Sequence, residues 1–137
     1  MCLIKRSKSK PQISKRAEKD IIVFKCMKKI KSLVVSPFKF NRYSRNKKHI
    51  APSCRLKDDG GFYSFKTIKS ALKFKNSRWI KGENTKIFKC IIPKGSSYIE
   101  GYQTILIWNN ETQWYNKHLT VRAIRSKQII FSEEVIR

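Results

Sequence analysis

The side chains in this sequence with chemistry to offer are its cations and its rings. Two stretches concentrate them. In residues 1 to 19, Lys5, Arg6, Lys8, Lys10, Lys15, Arg16 and Lys19 follow one another with almost nothing apolar after Ile4. Such a segment cannot bury enough surface to offset the entropy of ordering it, so it is expected to be a mobile basic arm, either a solvated tail or a phosphate-contacting one. In residues 37 to 59, Phe38, Phe40 and Tyr43 alternate with Lys39, Arg42, Arg45, Lys47 and Lys48. A loop of this composition can grip a phosphate backbone and offer rings on which bases stack. The same pattern also fits a long loop whose rings anchor it to the core while its charges face water. The candidate nucleic-acid contacts are therefore Lys8, Lys10, Lys15 and Arg16 in the arm and Lys39, Arg42, Tyr43, Arg45, Lys47 and Lys48 in the loop.

Other chemistries find little support. His49 and His118 are the only imidazoles, and neither has a carboxylate close in sequence to orient it. Cys2, Cys26, Cys54 and Cys90 form no CxxC pair and have no His at ligand spacing, so reduced thiols are expected and no metal site. No glycine-rich loop of the phosphate-cradling kind is present, and no cofactor is implied. Ser96-Ser97 with Glu133-Glu134 superficially resembles the ADP-ribosyltransferase pattern. The spacing is not that family's, and no early strand carries a suitable Arg. The sequence is expected not to be an enzyme.

The charge balance points to anionic partners. The 32 Lys and Arg against 9 Asp and Glu give +23, far outside the magnitude of about 2 to 8 that solubility favours in a small domain. Residues 1 to 59 carry +14 of this and residues 60 to 137 carry +9. The expected partner is nucleic acid, DNA or RNA. The alternative is an acidic host or virion protein docked by electrostatic complementarity, as an interaction or inhibitor protein would do. No apolar stretch approaches the roughly 20 residues of a membrane helix. The order of Met1-Cys2-Leu3-Ile4 before Lys5-Arg6 is wrong for a secretory signal, so a cytoplasmic location and no membrane partner are expected.

The elements that must position these residues centre on Lys86 to Gly101. Phe88, Cys90 and Ile92 fall on one face at period two, with Ile87 and Ile91 on the other, which predicts a buried strand with neighbours on both sides. Pro93 ends its ladder and Gly95 gives the turn its freedom. Ile21 to Met27 reads as the first strand. Its V-F-K-C echoes the I-F-K-C of Ile87 to Cys90, as if the two were adjacent in one sheet. Ser32 to Val35 and Phe62 to Phe65 read as short strands, Thr67 as the N-cap of a helix to about Lys75, and Thr104 to Trp108, Tyr115 to Val121 and Gln128 to Ile136 as further strands. The predicted fold is a single α+β domain over residues 20 to 137, mainly an antiparallel and barrel-like sheet with one main helix, preceded by the arm of residues 1 to 19.

G-F-Y-S-F-K-T at Gly61 to Thr67, K-C-I-I-P-K-G at Lys89 to Gly95 and R-S-K-Q-I-I-F at Arg125 to Phe131 resemble a loose pattern in small bacterial and bacteriophage proteins of unknown function. The order is also similar to the small domain beside some pentapeptide-repeat proteins. The resemblance covers residues 20 to 136 and implies the fold and a phage or bacterial origin. It implies no catalytic residue.

Overall fold

The computed structural model describes residues 15–30, 33–35, 42–43, 48–50, 62–77 and 85–135. In chain order these form β1 (Lys15–Arg16), β2 (Ile21–Ile30), β3 (Leu33–Val35), β4 (Arg42–Tyr43), β5 (Lys48–Ile50), β6 (Phe62–Ser64), α1 (Ile68–Lys75), β7 (Thr85–Ile92), β8 (Ser97–Asn109), β9 (Trp114–Ser126) and β10 (Gln128–Val135). Strand accounts for 71% of the described residues and helix for 9%. The protein is therefore mainly β, and the α+β expectation is corrected. The one helix among the described residues is a cover over one sheet, while segments too polar to read as buried strands are strands nonetheless.

One sheet has the order β4-β3-β2-β7-β10-β5 and the other β1-β8-β9-β6, and every pairing between these strands is antiparallel. Phe65, one residue past β6, exchanges backbone hydrogen bonds with Phe24 of β2 at 2.7 and 2.8 Å and so bridges the two sheets. Pairing thus runs β9–β6–β2–β7–β10, and the single residue Lys127 carries the chain from β9 back into β10.

β7 lies between β2 and β10, and both of its faces are apolar because each packs against its own apolar cluster. The echoing tetrapeptides lie opposite each other, Val23 against Cys90 and Cys26 against Ile87. Val23, Met27, Phe88, Cys90, Ile92, Ile129 and Phe131 fill the inner face together with Ala17 and Ile124. On the outer face Cys26 and Ile87 meet Phe65, Ala71 and Phe74, along with Ile105, Val121 and Ala123 of the β8–β9 hairpin. Helix α1 packs there through Ala71 and Phe74 and is capped at both ends: the Thr67 hydroxyl accepts from Ser70 N–H at 3.1 Å, and Asn76 N–H closes the last turn on Leu72 O at 3.2 Å. Gly95 has φ +89°, the left-handed turn conformation that a side chain would strain.

Lys25 is a charged residue in this interior, only 7% exposed, and its Nζ donates to Tyr63 O at 2.7 Å. A buried ammonium without such acceptors would cost several kcal/mol. Burial pushes the Cys90 thiol up to about 12, a rise that the charge of Lys25 and a backbone hydrogen bond from Ser132 only partly offset.

Candidate functional site

Cations meet the half-buried ring of Tyr98, which packs against the inner apolar cluster, at the β1 edge of β8. Lys15 lies opposite Tyr98 and Arg16 opposite Ser97, so a strand of two residues at the end of the segment read as an arm is part of the sheet. No apolar periodicity marks it. Two main-chain bonds and one side-chain bond attach it: Ala17 N–H donates to Ser96 O at 2.9 Å, Gly95 N–H to Ala17 O at 2.8 Å, and Lys94 N–H to the Asp20 carboxylate at 2.9 Å. Ala17 itself is buried. The turn that ends β7 is therefore the mount for β1.

Beside this mount opens a cleft of about 440 Å³ lined by Lys15, Arg16, Glu18, Lys19, Ile21 and Tyr98. Three cations face one carboxylate across it, and Lys15, Arg16 and Lys19 are all exposed. Chemically it is suited to a polyanion whose charges are spaced along a chain, since exposed ammonium and guanidinium groups contact phosphate without giving up their hydration.

The even-numbered residues of β8 continue from Tyr98 along one face of the hairpin: Glu100, Tyr102, Thr104, Leu106 and Trp108. Opposite them on β9 stand Ile124, Arg122, Thr120 and His118, with Arg122 directly across from Tyr102. Glu100 is the one acid on this face. Its burial disfavours the charged form, but a hydrogen bond from Lys66 and the charges of Lys66, Lys15 and Arg122 prevail and hold its carboxyl below the usual range. It pairs with Lys66 and, at 3.4 Å, with Arg122, so its charge is matched. At the hairpin end the rings of Trp108 and Tyr115 meet edge to face at 5.1 Å, and Trp114 lies 6.3 Å from Tyr115. Tyr102, Trp108 and Trp114 are 43%, 42% and 55% exposed.

Of the residues singled out in the sequence, Lys15 and Arg16 come together at the cleft, joined by Lys19. Arg42 and Tyr43 form β4 and the exposed Lys48 begins β5, so the stretch read as a loop contains two short strands. They lie at opposite edges of the six-stranded sheet, with four strands between them. Lys8, Lys10, Lys39, Arg45 and Lys47 lie outside the described residues. The hairpin rings were missed; two of the three tryptophans flanking N-N-E-T-Q was the available signal.

The structure does not assemble the enzyme-like pattern. The Ser96 hydroxyl accepts from Gln128 N–H at 3.2 Å, at the start of β10, while Glu133 and Glu134 stand five and six residues further along that strand. His49 and His118 belong to different sheets. Among the described residues no three of His, Cys, Asp and Glu come together as a metal site would require, and no helix is long and apolar enough to cross a membrane. No protein-family model matches the chain, and neither a curated protein nor a solved structure matches it significantly.

Proposed function

We propose that this protein binds nucleic acid through the phosphate backbone, with little sequence specificity, as a small basic accessory protein. The observation that carries the reading is the cleft: Lys15, Arg16 and Lys19 converge on one opening from a segment fixed by two main-chain hydrogen bonds and one to the Asp20 carboxylate. They do so in a chain of net charge +23, which draws polyanions from a distance. A flexible tail would present the same charges without a preferred geometry. Here the order is already in place before binding, so less entropy is lost when phosphates arrive.

The test is the triple variant Lys15→Gln/Arg16→Gln/Lys19→Gln. All three side chains are exposed, so its thermal transition is expected to match that of the parent. Its plot of log K against log salt for a labelled oligonucleotide is expected to flatten by about 0.7 units per lost contact on single strands, roughly 2 units if all three touch phosphate. Identical slopes in parent and variant would remove the cleft as the site. Binding to an acidic protein surface but not to nucleic acid would assign the same cations to a protein partner instead.

A further inference from the structure

We infer that the face of the β8–β9 hairpin carrying Tyr98, Tyr102 and Trp108 is a stacking surface for the unpaired bases of a single strand. The protein then prefers single-stranded nucleic acid to duplex. The inference rests on the phosphate-binding reading above and adds to it which form of nucleic acid is bound.

Four observations converge. First, Tyr98, Tyr102 and Trp108 occupy alternate-face positions of one strand, so they share a side of the hairpin and span ten residues, about 33 Å. Second, the row begins in the cationic cleft, because Tyr98 is one of its walls. A strand whose phosphates lie between Lys15, Arg16 and Lys19 is thereby led onto the rings. Third, Tyr102 and Trp108 of this face are 43% and 42% exposed, although large rings are the residues a fold gains most by burying. Fourth, the tip is preorganised: Trp108 Nε1 donates to Asn110 Oδ1 at 3.0 Å, and its ring is braced edge to face by Tyr115 at 5.1 Å. Such rings lose little freedom on stacking.

The surrounding polar groups agree with this. Arg122 faces Tyr102 across the strands, where a guanidinium can stack or contact phosphate. The carboxylate of Glu100, between Tyr98 and Tyr102, is matched by Lys66 and Arg122 and presents no bare negative charge to the ligand. Duplex bases are already stacked on one another and keep their faces from these rings; single-stranded bases do not. Rings read every base face alike, so the preference is for strandedness and not for sequence.

The experiment compares a labelled oligothymidylate of about 16 nucleotides with a duplex of equal length at one salt concentration. It uses the parent chain, Trp108→Ala, and Tyr102→Ala as a second variant away from the hairpin tip. The parent is expected to bind the single strand at least about tenfold more tightly, with quenching of its tryptophan fluorescence. Each variant is expected to lose roughly tenfold per ring on the single strand while its duplex affinity and salt slope stay put. Equal binding of both forms by the parent, unchanged in the variants, would overturn the stacking surface and leave the phosphate cleft standing. A parent that binds neither form would overturn both readings. Binding to anionic vesicles in place of the single strand, with a tryptophan blue shift, would give the hairpin to a lipid surface and overturn the inference.

Discussion

Phe88→Ala tests whether the inner face of β7 is the core on which everything else is mounted. Phe88 is 2% exposed, its ring lies 4.6 Å from that of Phe131 at 37°, and Val23, Met27, Cys90, Ile92 and Ile129 complete its cluster. Truncating a ring so enclosed costs about 3 to 5 kcal/mol. Of that, about 0.5 to 1.5 kcal/mol belongs to the ring pair itself. Against a total of about 5 to 15 kcal/mol for a domain, the variant is expected to be folded but marginal, or unfolded at 37 °C. With a urea slope of about 1 to 3 kcal/mol per M, its midpoint is expected to fall by at least about 1 M. Phe88→Leu keeps most of the volume and is expected to cost about 1.5 kcal/mol or less. Equilibrium urea unfolding followed by far-ultraviolet circular dichroism reads both. A Phe88→Ala protein within about 1 kcal/mol of the parent, with the same slope, would refute the placement of this core.

Glu100→Gln probes the neutralised acid of the hairpin face. The carboxyl is held below its ordinary value in the folded protein. Its ionised form therefore stabilises the fold above the ordinary glutamate pKa of about 4.3, and that contribution is lost as pH falls through the folded-state value. The variant is expected to be less stable than the parent at pH 7 by about 0.2 to 1 kcal/mol, with the gap closing in acid; stability curves parallel from pH 7 to pH 3 would contradict it. Because Lys66 and Arg122 are released, nucleic-acid affinity is expected to rise in the same variant, and a fall measured by anisotropy would count against this face as a contact. Cys90, buried and with its thiol pushed up to about 12, is expected to resist iodoacetamide at pH 8 until the protein unfolds. Mass spectrometry showing rapid native-state labelling at that residue would mean the inner face is open to solvent.

The core was legible in the sequence because buried strands write themselves in side chains. Ile87 to Ile92 is apolar on both faces since each face of β7 is covered by an apolar cluster, and the echo between Val23–Cys26 and Ile87–Cys90 reflects two segments that pair with each other. Pro93, Gly95 and Thr67 marked a strand end, a turn and a helix cap through backbone chemistry that few other residues supply. The hairpin was only half legible. Strands were expected at Thr104 to Trp108 and Tyr115 to Val121, whereas β8 and β9 run thirteen residues each. Tyr102, Asn116, Lys117, His118 and Thr120 are exposed, so their strand state rests on main-chain pairing that leaves no apolar pattern. The same reason hid β1, whose two residues are both cations at a sheet edge. The mainly-β class was missed because one well-capped helix was given the weight of a layer.

The most direct test of phosphate binding is the salt dependence of the unmodified protein. Anisotropy of a labelled oligonucleotide, titrated at several salt concentrations, gives log K against log salt. Contacts from Lys15, Arg16 and Lys19 alone predict a straight line with a slope of about −2 on single strands, steeper as further cations join. No binding at the lowest salt concentration, or binding whose affinity does not change with salt, would contradict the proposal that this basic protein holds nucleic acid by its phosphates.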